Sequence, residues 1–475
     1  MTMKQPSPIL IALLIAASQF MELLDGTVIT TAIPRMAQSF HVHPVDLNLG
    51  ITGYMIMLAA GIPLSGWAAE RFGARTVFAC AIAIFTGASV LCGLADSFWS
   101  FFAARILQGT GGAMMVPVGR LVVLRKTPKA DLMRAMALLT WPSLAAPILG
   151  PVVGGFLTTY ASWRWIFFLN LPIGVIGLLC TLVLIDNARA EERRRLDWTG
   201  ALLSAIGAVS FVYGASLLGT ADGPVPVGVG LLVVGALGGW ATARHARHHR
   251  APLIDFGALR VFAFAATLRG GSLIRIAISS VPFLVPLLFQ LGFHRSPVDA
   301  GSLLLVLFVG NLGIKPFTTP LMRRFGFRTV LIVNGSLLTA TFFGFALLMP
   351  HTPPWVELPL LALAGMTRST QFTAMNTLAF AEMPPAGITS ANTLFNLGQQ
   401  VSFGLGVAVG AILLRVGHSL LGPLHASVSV MDFRFAFLGG GLICLVGVME
   451  FLWLDGTAGA AVSGHREHNS AKPAL

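Results

Sequence analysis

Glu22 and Asp25 stand three residues apart in a run, about residues 9–32, that is otherwise almost wholly apolar. At that spacing the two carboxylates share one face of a helix. A low-dielectric site cannot hold both as anions cheaply, so one of them is expected to carry a proton near neutral pH and release it when its surroundings change. Asp25 is the first candidate for that role and Glu22 the second. Arg105 and Gln108 repeat the spacing in another apolar run. A guanidinium in hydrocarbon is costly unless it meets partners, so Arg105 should face the acids of the first run, with Gln108 one turn away. A fixed Asp25–Arg105 ion pair without proton traffic is the structural alternative. Arg368, Gln371 and Asn376 fall in a third apolar stretch. With Gln108 they form the expected polar wall of a substrate cavity, because lipid would not tolerate them. Arg275 and Lys315 are weaker candidates, since long basic side chains also snorkel to an interface.

The elements that must position these groups follow from composition. Apolar residues make up 55% of the 475 and charged residues 11%. An ordinary soluble domain is roughly 25% charged, and no soluble fold of this length could bury so much apolar surface. A bilayer supplies the apolar solvent instead, and about twenty apolar residues cross it as a helix. Such runs are expected at 9–32, 46–67, 76–95, 98–123, 135–158, 164–185, 199–219, 225–243, 262–291, 298–321, 328–349, 355–378, 389–415 and 433–454. The fold class is therefore an all-α polytopic membrane protein of fourteen helices. The first run follows Lys4 and contains two acids, so it reads as a retained span and not a cleaved leader.

Basic residues alternate between loops. Arg71, Arg75, Arg120, Arg125, Lys126, Lys129, Arg134, Arg189, Arg193 to Arg195, Arg244, Arg247, Arg250, Arg260, Arg323, Arg324 and Arg328 fall on one side, against Arg35, Arg164, Arg295, Arg415 and Arg434 on the other. Basic loops stay inside, so both termini are expected in the cytoplasm. A net charge of +12 spread this way speaks for a lipid bilayer as partner and against nucleic acid. The cluster Arg244–His245–Arg247–His248–His249–Arg250 has no carboxylate or thiolate close in sequence and reads as topogenic charge, not a metal site. Cys80, Cys92, Cys180 and Cys444 lack metal-ligand spacing and read as small buried hydrophobes.

Arg71–Phe72–Gly73–Ala74–Arg75–Thr76–Val77 recurs as Arg324–Phe325–Gly326–Phe327–Arg328–Thr329–Val330, six of seven positions matching. One copy joins spans 2 and 3, the other spans 10 and 11. Two six-span halves (9–185 and 261–454) with a pair of helices inserted at 186–260 satisfy that offset of eight. Residues 1–8 form a cytoplasmic N-terminus and 455–475 a disordered tail. The inserted pair should lie outside the central core.

The run Gly66–Trp67–Ala68–Ala69–Glu70–Arg71–Phe72–Gly73–Ala74–Arg75 resembles the loop signature of the major facilitator superfamily, with Glu70 where Asp is commoner. Arg105–Ile106–Leu107–Gln108–Gly109–Thr110–Gly111–Gly112 is similar to that superfamily's embedded-arginine motif. Gly150–Pro151–Val152–Val153–Gly154–Gly155 is similar to its antiporter motif, and Glu22–Leu23–Leu24–Asp25–Gly26–Thr27 to the first span of fourteen-span drug–proton antiporters of the EmrB/QacA type. Trp163–Arg164–Trp165–Ile166–Phe167–Phe168–Leu169–Asn170–Leu171–Pro172 and Arg368–Ser369–Thr370–Gln371 look like the MdtD/HsrA group of that family, over about residues 10–455. The resemblance implies a monomeric, proton-coupled antiporter of the bacterial inner membrane. It would export small amphipathic or cationic compounds by rocking two halves, with no cofactor beyond the proton gradient. Gly66, Glu70, Arg71, Gly73 and Arg75 would form a latch, and Gly150, Pro151, Gly154 and Gly155 a hinge. Met55, Met57, Met114, Met115 and Phe372 lie on spans expected to line the cavity. An intramembrane enzyme would need a nucleophile, metal ligands or a phosphate loop, and none of those motifs occurs. Export or uptake of one specific metabolite on the same fold is the nearest rival.

Overall fold

Hydrocarbon offers backbone N–H and C=O groups no water, so an apolar chain satisfies them within itself as helix. The computed structural model describes residues 7–43, 46–140, 142–187, 195–219, 223–421 and 429–465, and these fold as helices. In chain order they are α1 (Pro8–Phe40), α2 (Asn48–Phe72), α3 (Ala74–Leu94), α4 (Phe98–Lys126), α5 (Lys129–Thr140), α6 (Pro142–Tyr160), α7 (Trp165–Phe168) and α8 (Asn170–Leu184). Then come α9 (Trp198–Gly219), α10 (Val225–His248), α11 (Phe262–Leu287), α12 (Pro297–Gly313), α13 (Lys315–Leu347), α14 (Pro354–Ala381), α15 (Ile388–Leu421), α16 (Val430–Met449) and the short α17 (Ala460–Ser463). Proline opens α1, α10, α12 and α14, where its missing N–H costs nothing. Ser97 and Ser100 close a reciprocal cap on α4.

Among the described residues, eleven helices are long and apolar enough to cross a membrane. Of the other three expected spans, span 5 is described as α5 and α6 with residue 141 between them outside the described residues, span 10 breaks at Ile314 between α12 and Lys315, and span 12 (α14) carries Glu357 and Arg368. Spans 10 and 11 run almost continuously through α13 and are separated only at Gly326, whose φ of 75° bends the chain. Gly73, at the matching place in the first repeat copy, has φ 90°. Only glycine enters that region without strain, so the repeated motif is a repeated backbone turn.

Packing sorts the helices. α1 lies against α4, α6 and α8, α3 between α4 and α8, and α2 on α4. Further along, α11 packs on α14, α15 and α16, α12 on α14, and α13 on α14 and α16. These sets meet where α15 touches α2 and α4, α14 touches α5, and α12 touches α6. Helices α9 and α10 form a close pair. Cβ atoms added at Gly207 or Gly214 would press on the α10 backbone, the small-residue packing that membrane helices favour. Through Ala208, Val212, Ala215 and Leu218, α9 lies over the seam between α2 and α15, outside the central cavity.

Several expectations change here. The basic-loop residue Arg120 lies inside α4, which runs on to Lys126, and is 5% exposed. Of the cysteines, Cys92 and Cys444 are buried, but Cys80 is exposed. The tail is not disordered throughout. Ala458 and Val462 are buried, and the Gly459 N–H donates to Glu382 Oε1 at 2.9 Å, so apolar anchors hold residues up to 465. Lys4, Arg189, Arg193, Arg194 and the tail beyond 465 lie outside the described residues.

The histidine cluster does meet a carboxylate, brought from 48 residues away. Asp197 caps α9 by accepting from the Gly200 N–H at 2.8 Å, and its oxygens contact His245 Nε2 at 2.9 and 3.0 Å and the Leu253 N–H at 3.2 Å. One side chain thus ties the start of α9, the end of α10 and the segment after it. Partial burial acts to raise the Asp197 pKa, but the Gly200, His245 and Leu253 hydrogen bonds outweigh it and hold the carboxyl below the usual range. A carboxyl lowered on folding stabilises above its ordinary pKa and loses that contribution as pH falls through its own lower value. Asp197→Ala is therefore expected to cost about 0.5–2 kcal/mol, the worth of a helix cap. Denaturant unfolding should show that cost near neutral pH and a smaller one in strong acid.

Candidate functional site

Asp25 sits on the face of α1 that meets α4 and α8, 1% exposed. Arg105 Nη1 donates to Asp25 Oδ2 at 2.6 Å and to Gln108 Oε1 at 2.6 Å. Gln108 Nε2 donates to Asp25 Oδ1 at 3.0 Å and to Ser89 Oγ at 2.7 Å, and Asn170 Nδ2 donates to the same two atoms at 2.9 Å each. The Tyr54 ring lies 4.8 Å from the guanidinium carbon and Phe167 5.9 Å, offering π-faces to a cation in low dielectric. Charge is balanced inside the cluster, and every member of the network is buried. The arrangement matches the structural alternative weighed for Asp25, a closed ion pair. Gln108 belongs to this network and is not in the lining of either cavity lobe described below, unlike its expected place.

Glu22, one turn earlier, looks the other way. Its Oε2 has no hydrogen-bond partner among the described residues. It lines a small lobe of about 130 Å³ with Gln19, Gly112, Arg120, Asn396 and Gln399. A Cβ added at Gly112 would come within 3.5 Å of the Glu22 carboxyl and 3.0 Å of Tyr54 Oη, so this glycine makes the room. A larger lobe of about 250 Å³ shares Gln19, Leu23, Arg120, Gln399 and Phe403 with the first and extends to Arg368, Phe372 and Asn376 on α14. The two lobes form one polar cavity where α1, α4 and α5 face α11, α14 and α15. A separate lateral groove near Leu13, Phe20 and Leu312 is lined by apolar side chains alone and carries no chemistry.

Helical phase explains which α14 residues arrive. Arg368, Phe372 and Asn376 follow one another by one turn and share a face, whereas Gln371 points to α13, where it accepts from Asn334 Nδ2 at 2.8 Å and donates to the Leu331 carbonyl at 3.3 Å. Gln371 is therefore a helix-packing residue, contrary to expectation. The four methionines are absent from the lining of both lobes, and Met136 is there instead. Arg275 does not snorkel: it is 0% exposed, its guanidinium over the Phe395 ring at 4.8 Å. Lys315 Nζ donates to Thr373 Oγ1 at 2.8 Å. Gln19, Arg120, Gln399 and Asn170 were missed. Gln19, Arg120 and Asn170 are each an isolated polar side chain or nearly so in an apolar run, and Gln399 stands beside Gln400 in one, which was the available signal.

The loop signature works through a residue outside it. Glu70 lies 3.6 Å from Arg125, whose Nη2 also donates to Thr389 Oγ1 at 2.6 Å, so α2, α4 and α15 are joined at the basic end of the bundle. Arg71 and Arg75 make no ion pair among the described residues, and Arg125 takes the latching role expected of them. Gly66 allows the close approach of α2 to α15, where a Cβ would meet Thr389 and Thr393. Gly150 and Gly154 press α6 onto α1 at Thr27, Val28 and Thr31, while Gly155 faces open space and Pro151 is exposed. Among the described residues, Asp197, His245 and His249 could bring three metal-ligand atoms within 4.8 Å of one another, although the Asp197 oxygens already accept from the Gly200 and Leu253 N–H groups.

A model of the Major Facilitator Superfamily matches residues 15–407. The chain belongs to the major facilitator superfamily. It is 37% identical over 426 residues to a protein of Escherichia coli O157:H7 (strain EC4115 / EHEC) named "Putative multidrug resistance protein MdtD", covering 90% of this chain and 89% of that one. A protein of the same name from Shigella flexneri serotype 5b (strain 8401) is 38% identical over 416 residues, 87% of each. Among solved structures, the human organic anion transporter MFSD10 (TETRAN) superimposes with a TM-score of 0.67 at 14% identity, covering 94% of this chain and 100% of that one. The proton:xylose symporter XylE bound to 6-bromo-6-deoxy-D-glucose gives 0.66 at 14% identity, over 96% and 98%. At that identity the likeness speaks for the fold alone. This superfamily member is a multi-span membrane transporter, and its cavity lies between helices of both ends of the chain.

Proposed function

We propose that this transporter is a proton-coupled antiporter that exports small amphipathic compounds across the cytoplasmic membrane. Fourteen spans, as six, two and six, would act as a monomer with both termini in the cytoplasm, needing no cofactor beyond the proton gradient. The observation that carries the reading is the split between the two acids of α1. Glu22 lines the cavity and keeps one buried oxygen without a hydrogen-bond partner among the described residues, while Asp25 is enclosed by Arg105, Gln108 and Asn170. Glu22 is then the proton carrier, and Asp25 with Arg105 is the fixed joint that holds α1 on α4. Substrate and the Glu22 proton would bind alternative conformations of the cavity, which links loading of one to release of the other. The Glu70–Arg125–Thr389 contact closes the basic end in this conformation and must break when the halves rock. The test is uptake into everted vesicles carrying an acid-inside gradient: substrate should accumulate and the gradient partly collapse. Accumulation that ignores the gradient would refute the coupling.

A further inference from the structure

The charge of the cavity is not the one expected for cationic cargo. Arg120 and Arg368 stand in its wall against one carboxylate, Glu22. Neither guanidinium has an ion-pair partner among the described residues. Arg120 Nη1 donates only to the neutral Gln399 Oε1, at 3.2 Å, and Arg368 Nε and Nη1 are buried with no acceptor at all. Two further cations stand close behind the wall: Arg275, which shares the Phe395 ring with Arg120 (4.8 and 5.2 Å), and Lys315, on Thr373 of α14. A buried cation without a counter-charge is retained only where something repays its desolvation. The acids of the same stretch cannot do so, because Glu357 is held by Arg295, Asp432 contacts His418 and Glu450 is held by Arg269. A guanidinium presents parallel N–H groups that fit a carboxylate or phosphonate in two-point contact, and a cavity is the one place where such a group can come and go. Phe372 and Phe403, with ring centroids 5.9 Å apart, give a flat apolar body a surface beside it.

We propose that Arg368 and Arg120 form an oxyanion subsite, and that the transported compound carries an acidic group held there while its apolar body reaches along Phe372 and Phe403 toward the Glu22 lobe. This rests on the transporter reading and names its substrate class, but it does not depend on proton coupling.

The test is equilibrium binding to the purified full chain in detergent, with no gradient, using two probes of one shape and opposite charge: 1-naphthoate and 1-naphthylmethylamine. The acid is expected to bind at least about tenfold more tightly, the factor that a single charge-assisted contact supplies. Arg368→Gln and Arg120→Gln should each weaken the acid by a similar factor and leave the amine unchanged. Arg368→Lys, which keeps the charge but not the fork, should fall between. Thermal unfolding of each variant, matched to the parent, guards against misfolding. Amine binding equal to or tighter than acid binding overturns the proposal. So does acid binding that is absent at millimolar concentration or indifferent to both glutamine variants. Loss of proton coupling in vesicles would leave these binding results standing, so the two readings fail separately.

Discussion

Glu22→Gln is expected to uncouple the transporter from the proton gradient without emptying its cavity. Each pH unit across the membrane supplies about 1.4 kcal/mol per proton, enough for roughly tenfold accumulation of a singly exchanged substrate. In proteoliposomes with a gradient of one unit, the wild type should approach that ratio and the variant should fall to equality, while gradient-free exchange continues in both. The amide keeps the size and hydrogen-bonding character of the acid but cannot release a proton. Glu22 Oε2 has no hydrogen-bond partner among the described residues, and an amide can keep the contact of the other oxygen with the neighbouring Tyr54 hydroxyl, so the replacement is expected to cost little stability. An undiminished accumulation ratio would remove Glu22 from the mechanism.

Asp25→Leu should behave in the opposite manner, as a folding defect before a transport defect. It strands Arg105 at 0% exposure with only Gln108 and two ring faces as company. Removing one partner of a buried ion pair costs about 3–5 kcal/mol, whereas replacing both by apolar groups of like volume is often neutral. The double variant Asp25→Leu/Arg105→Met is therefore expected to recover more than half of the loss. Unfolding in graded denaturing detergent measures all four corners of this cycle. Additive costs would show that the pair is not a unit.

How much of this was legible beforehand varies with the physics involved. The Asp25–Arg105 pairing could be foreseen, because ionic groups in apolar runs have few ways to be tolerated and must find each other. The turn glycines Gly73 and Gly326 were visible as a repeat, though their shared positive φ was not. Which acid faces the cavity was not legible: Glu22 and Asp25 share a helix face, and the helices packed around that face decide which one is enclosed. Gln371 and Arg120 exchanged roles for a related reason. The first depends on helical phase relative to Arg368; the second already lay within the expected run 98–123, and only the packing of α15 on α4 shows that its side chain is buried there and not in a loop. Asp197 and His245 are brought together by α10 folding back along α9, a contact no local spacing announces.

The central claim is that the mobile proton resides on Glu22. Infrared difference spectra of the purified protein, with and without bound substrate, report a carboxylic acid directly through its carbonyl stretch. The wild type should show a protonated-carboxyl band that is lost on substrate binding, and Glu22→Gln should lack it. A band that persists in Glu22→Gln would place the proton on another acid and contradict the account.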